Sequence, residues 1–188
     1  ATRPQGGEWA GVVFQASSNS LASTIQGTQL RYGGGFNAPS SDPNRARFSP
    51  IHLIGDNSGA IGSTPRILSN LIVDSTEPAI SADLASLTAT GPTGVPNSGP
   101  EIVANQIGRT SINGLFIRVG VDPSTGSLRR LNRPMRLDDN TITHVLTDNL
   151  FIIPGGSVTM LPGLALEMRI SMIDVGTGTF FDALGTPE

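Results

Sequence analysis

The sequence predicts an all-β protein, a jelly-roll-like antiparallel β-sandwich with an extended N-terminal arm and at most one short helix. Three observations carry that expectation. At least eight short runs rich in Ile, Val, Leu and Thr are separated by Gly, Pro and Asn turns, the pattern of a sandwich or barrel. Leu164, Leu166, Met168, Ile170 and Met172 alternate with Ala165, Glu167, Arg169 and Ser171, a period of two that gives a strand one apolar and one wet face. Gly (23) and Pro (14) make up about a fifth of the 188 residues, enough for many turns but short of low complexity. Long loops between short strands favour the jelly roll, whose sheets exchange strands across such connections. One domain over residues 1–188 is expected, with an arm at 1–8 and a long Pro/Gly-rich loop at 33–50.

Taken in order, residues 1–8 are polar and Gly-rich, hence the arm. Trp9 to Ala16 is a short apolar run that fits a strand, and Thr28 to Tyr32 is another, stopped by Gly33-Gly34-Gly35. Residues 36–50 hold three prolines, a loop of a length that is often functional or ordered by a neighbour. Ile51 to Ile54 fits a strand. Arg66 to Val73 fits a strand or one turn of helix. Pro78 to Thr90 is the best helical stretch, with Ile80, Leu84 and Leu87 on one face and Ser81 or Thr76 as cap. Residues 91–100 form a Pro/Gly loop. Ile102 to Ile107, Ser111 to Val121 and Thr141 to Leu146 follow as strands, the middle one with Leu115, Ile117, Val119 and Val121 alternating. Residues 150–174 are expected to fold as an antiparallel three-stranded meander, turning at Pro154-Gly155 and Leu161-Pro162-Gly163. A helix over 164–172 would place Glu167 and Arg169 about 200° apart and scatter the apolar residues. No internal repeat is evident.

Composition narrows the function classes. Charged residues are 14% of the chain, and all twelve basic residues are Arg. Arg is less strongly hydrated than Lys and suits ordered contacts; a genomic bias towards Arg codons gives the same count. With no Cys, neither a disulfide framework nor a thiolate metal site is available. A net charge of −3 gives no footprint for nucleic acid. No apolar run is long enough to span a bilayer, and the first residues lack the apolar core of a signal peptide.

Nothing in the chain spells out a catalytic motif, and no catalytic residue, cofactor or metal ligand is assigned. His52 and His144 each sit inside an apolar strand, the setting of a packed histidine. Ser58 lacks the elbow context of a nucleophile. Asp138-Asp139-Asn140 resembles a capped turn more than the spaced acidic pattern of a Ca²⁺ loop. Gly33-Gly34-Gly35 opens no helix and is followed by no Lys, so it is not a phosphate cradle. Arg129, Arg130, Arg133 and Arg136 form a basic cluster without interleaved aromatics. It fits either a charged edge that blocks sheet aggregation or a contact with an acidic partner.

Pro154-Gly155-Gly156, Leu161-Pro162-Gly163 and the alternating Leu164 to Asp174, in a small Cys-free chain of low charge, resemble head decoration (cement) proteins of tailed bacteriophages. The resemblance covers about a fifth of the chain. Trimeric jelly rolls of the complement-globular-head and tumour-necrosis-factor type share such endings. It implies a homotrimer seated on the major capsid protein of a virion, with the arm reaching to neighbours and no enzymatic activity. A partner that binds only the assembled lattice would stabilise it by mass action. The interface residues expected on this view are Arg3 and Trp9 in the arm, Arg45, Arg47 and Phe48 in the loop, and the cluster Arg129, Arg130, Arg133 and Arg136. A self-assembling coat protein and a receptor- or glycan-binding head are the alternatives; a hydrolase acting through His144 is a fourth reading.

Overall fold

The computed structural model describes residues 3–16, 18, 22–35, 48–55, 62–88, 99–137 and 139–183; Phe180, Asp182 and Ala183 are described by backbone only. The described chain winds as six stacked coils of three short strands each. The first coil holds β1 (Val12–Phe14), β2 (Thr24–Gln26) and β3 (Gln29–Arg31). The second holds β4 (Ile51–Leu53), β5 (Arg66–Leu68) and β6 (Leu71–Val73). The third holds β7 (Ile80–Asp83), helix α1 (Leu84–Leu87), β8 (Glu101–Val103) and β9 (Gln106–Gly108). The fourth holds β10 (Gly114–Arg118), β11 (Arg130–Leu131) and β12 (Pro134–Leu137). The fifth holds β13 (Thr143–Leu146), β14 (Leu150–Ile152) and β15 (Ser157–Met160), and the sixth β16 (Ala165–Met168), β17 (Ile173–Val175) and β18 (Phe180–Ala183).

Every pairing between these strands is parallel, because each strand lies beside its counterpart one coil away. This overturns the expected antiparallel jelly-roll sandwich. The 150–174 meander goes with it: β14, β15 and β16 follow one another in sequence yet lie in three different sheets. The turns at Pro154-Gly155 and Pro162-Gly163 are corners of a coil, not hairpins. A repeat exists as well. Pro134 pairs with Ser157 and Ser157 with Phe180, a spacing of 23 residues each time. From Thr24 to Arg66, by contrast, is 42 residues. The repeat is hidden because each coil is lengthened by a different amount.

Side chains of like chemistry stack from coil to coil. One inward row runs Ile51, Ile80, Leu115, His144, Leu166; the next inward row runs Leu53, Ala82, Ile117, Leu146, Met168. Burying each large aliphatic in such a row contributes roughly 1.5–3 kcal/mol. Stacking, not helix propensity, decides Ile80 to Asp83. The 78–90 helix is expected from its apolar face, but Ile80 and Ala82 enter the inward rows as β7. Among the described residues of that stretch only α1 is helical, capped by the Asp83 carboxylate, which accepts from the Ser86 N–H at 2.9 Å. All four residues of α1 are buried.

The corners repeat too. Gly27, Ser69 and Ala104 have positive φ at one corner of the first three coils, and Tyr32, Asp74 and Arg109 at another. Inside the first corner lies an asparagine ladder. Asn70 accepts from the Thr28 N–H at 3.0 Å and donates to the Ile25 carbonyl at 3.0 Å and to Asn105 Oδ1 at 3.0 Å. Asn105 donates in turn to the Ile67 carbonyl at 2.8 Å. Each buried amide bonds backbone groups of the preceding coil, and the two amides bond each other, as buried polar groups must be satisfied.

Only the first sheet, β1-β4-β7-β10-β13-β16, runs unbroken. The others stop between the third and fourth coils, giving β2-β5-β8 and β3-β6-β9 above and β11-β14-β17 and β12-β15-β18 below. Two three-coil halves therefore share one continuous wall and part along a seam on the other two. Helix α1 fills the seam, touching β7 above and β12 below.

Candidate functional site

The seam opens a cleft of about 440 Å³ between α1 and the edge of β11. Its floor is apolar, from Leu84, Leu128, Leu131 and Ile153, and its rim is rich in donors, with Arg129, Arg130 and Asn132 beside Thr88, Thr125 and Ser127. Among the described residues Asp122 is the acidic one lining it. The Ser124 hydroxyl and N–H, at 2.7 and 2.8 Å, hold the Asp122 carboxyl below its usual range, and the Arg129 charge adds to this. Asp122 also closes the 122–127 turn, through its carbonyl to the Gly126 N–H at 2.8 Å. The carboxylate is thus largely occupied. What remains for a ligand is a donor-rich rim on an apolar floor, a surface suited to a small hydroxylated anion.

Of the expected interface residues, Arg129 and Arg130 line this cleft, with Arg129 half-buried and Arg130 exposed. Arg133 and Arg136 follow along the same edge, both exposed. Arg130, Arg133 and Arg136 lie on β11, β12 and the residues joining them, and Arg129 immediately precedes β11; neither strand has a parallel neighbour above. Charge on such an edge prevents stray strand pairing, as does Pro134 at the start of β12. Arg3 is exposed. Trp9 is half-buried: its indole N–H donates to the Arg31 carbonyl at 2.6 Å. The ring packs so close to Gly33 that a Cβ there would lie 2.8 Å from it. Backbone bonds at 2.9 Å from Gly7 to Gly33 and from Glu8 to Tyr32 lay the N-terminal segment against the first coil. Arg45 and Arg47 lie outside the described residues, as do Ser58 and most of the 33–50 loop. Phe48 packs edge-on against His52, ring centres 5.2 Å apart.

The two histidines differ. His52 lies on the outward row His52, Ser81, Phe116, Val145, Glu167, and is buried there. Ser81 Oγ is 2.8 Å from its Nδ1, and the Arg118 guanidinium donates to its Nε2 and to the Leu53 carbonyl. The Ser49 N–H also points at Nδ1, at 3.4 Å, so both ring nitrogens are engaged by groups of the fold itself. His144 faces inward between Leu115 and Leu166. Burial pushes its pKa down to about 4, opposed by the Ile142 carbonyl.

Asp139, expected in a capped turn, is that and more. Its Oδ1 accepts from the Thr141 N–H at 2.8 Å and hydroxyl at 2.5 Å, yet the residue is buried and lines one small pocket together with His144. Sequence reading missed Asp122, Asn132 and the convergence of Asp139 with His144. Asp139 and His144 are close in sequence, but only the coil geometry turns both inward.

A third feature is the pair of open ends. Met168 and Val175 occupy inward rows of the sixth coil yet are 48% and 44% exposed, whereas their partners one coil above, Leu146 and Ile152, are each 1% exposed. At the other end Val12 is 37% exposed over Ile51 at 0%. Among the described residues, no group of three or more His, Cys, Asp or Glu could hold a metal ion. No helix among them is long and apolar enough to cross a membrane. No family model matches the chain, and no curated protein and no solved structure is detectably similar to it.

Proposed function

We propose that this chain is a non-enzymatic structural protein of an assembled particle, a virion protein of the kind its sequence resembles, and that copies of it meet coil end to coil end. The observation that carries this reading is the exposure of inward-facing Met168 and Val175 on a coil paired on one side only. An apolar row left half bare is a surface that association covers. The occupant that fits is a second copy. Both ends present three strands running in the same direction, so β16, β17 and β18 of one molecule can extend the sheets begun by β1, β2 and β3 of the next. Such a head-to-tail contact is heterologous and builds a stack, not a closed dimer. Of the motifs behind the resemblance, 161–174 builds the corner and strands leading into this end, and 154–156 a corner of the coil beside it. Sedimentation over a concentration series tests the contact. The wild-type chain should grow with concentration, while Met168→Asp, with unchanged circular dichroism, stays a single copy. A wild-type chain that remains single throughout overturns the contact. Labelling of purified virus particles by an antibody to the chain tests the setting, and its confinement to the soluble fraction argues against a virion role.

The seam cleft favours a second reading, a receptor- or glycan-binding head. Its donor-rich rim and the lack of aromatics among the described lining residues favour an acidic sugar over a neutral one. Galacturonate should then shift the NMR signals of Arg130 and Asn132 where galactose does not, and Arg130→Gln should abolish the shift. Equal response to both sugars, or to neither, removes this reading.

A further inference from the structure

We propose that the core between α1 and β13 is a binding site for one water molecule, which bridges the Asp139 carboxylate and the His144 imidazole. Asp139 and His144 are 4% and 2% exposed. Asp139 Oδ1 is satisfied by Thr141, but Asp139 Oδ2 and His144 Nδ1 are buried with no hydrogen-bond partner among the described residues. Both residues line one small pocket of about 20 Å³. A buried polar atom without a partner is rare in a folded protein, and two of them facing one space point to a shared ligand. A single water needs about 10–15 Å³ and at least two polar partners, and this pocket supplies both.

The walls exclude other occupants. Leu87, Ile102, Leu115 and Leu137 close the pocket with apolar surface, and Arg136 reaches its edge. A divalent metal would find one carboxylate oxygen and one ring nitrogen, far from a tetrahedral or octahedral shell. The Arg136 charge further disfavours a cation. An anion would face the Asp139 carboxylate. A neutral molecule that donates and accepts meets no such objection. Water donates one proton to Asp139 Oδ2, and to His144 Nδ1 it either donates or accepts, so it serves either tautomer of the ring. The site lies where α1 and the Gly99-Pro100 approach to β8 in the upper half meet β12 and β13 of the lower half. The water therefore serves as a polar pin at the seam, among walls that are mainly aliphatic.

A crystal structure of the full chain at neutral pH and high resolution tests the proposal. The expected result is one ordered water within hydrogen-bonding distance of both Asp139 Oδ2 and His144 Nδ1. Water-selective NMR on the same wild-type protein should show transfer from a long-lived water to the His144 ring and the Leu115 methyls. In His144→Leu that transfer at Leu115 should vanish, and in the milder Asp139→Asn it should persist. A direct Asp139–His144 hydrogen bond, a bound ion, or a dry pocket in the crystal would each overturn the assignment, as would the absence of water transfer in the wild-type protein.

Discussion

His144 should make the fold sensitive to mild acid, and the size of the effect follows from its place in the inward row. In the unfolded chain the ring titrates near 6.5, and in the folded chain burial brings this down to about 4. Between those values the unfolded chain binds more protons than the folded one, so stability falls as pH falls. Above 6.5 the stability is fully present; it is lost progressively towards pH 4 and changes little below that on account of this residue. The interval between 6.5 and about 4 is worth roughly 3 kcal/mol. Set against the 5–15 kcal/mol typical of a folded domain, that is a large share. Urea denaturation at steps between pH 7.5 and 4, with the slope held constant, measures it. His144→Leu is the comparison, since Leu matches the Leu115 and Leu166 that flank it in the row. Asp74, Asp122 and Glu167 also have pKa values held low, by Arg109, Ser124 and Arg169 respectively. Their stability is lost at lower pH and equally in both proteins, and His52 is common to both. The wild-type curve should therefore fall by about 3 kcal/mol more than the variant curve. Parallel curves would refute the burial argument.

Further expectations concern packing and corners. Asn70→Ala removes an acceptor for Thr28 and donors to Ile25 and Asn105, and should cost about 3 kcal/mol by urea denaturation. Arg66→Gln breaks an ion pair of 2.6 Å that lies in solvent, and should leave the urea midpoint unchanged. Gly114→Ala would place a Cβ 2.0 Å from the Thr143 carbonyl oxygen, where β10 and β13 run side by side, and should lower stability by about 3 kcal/mol in the same assay.

Much of the local structure can be read from the residues, and little of the way it is assembled. The alternation of Leu115 with Phe116 and Ile117 marks a strand in either a sandwich or a coil, since each shows a strand one buried face. What separates the two is the partner: Leu115 lies beside Ile80 and His144, both distant in sequence. Coil lengths from 21 to 42 residues hide the repeat that would have revealed this. Corner chemistry misleads as well. Ser69, Ala104 and Arg109 hold positive φ without being glycine, because stacking on the neighbouring coil fixes a conformation that their own preferences disfavour. The Arg cluster was recognisable in the sequence as an edge or contact feature. That two of its members face α1 across a cleft was not, because the helical signal at 78–90 masked a strand. The setting of each histidine within a strand was legible, whereas the direction each one faces depends on register.

Parallel stacking of coils underlies all of these expectations, and a disulfide tests it most directly. Arg136 and Thr159 are register partners on β12 and β15, both on the outward face, in a chain that contains no cysteine of its own. Partners in adjacent parallel strands lie about 5 Å apart, within the span of a disulfide. The Arg136→Cys, Thr159→Cys double variant should oxidise to a single intramolecular crosslink and keep the circular dichroism of the wild-type chain. Failure to crosslink while the chain stays folded would contradict the coiled architecture.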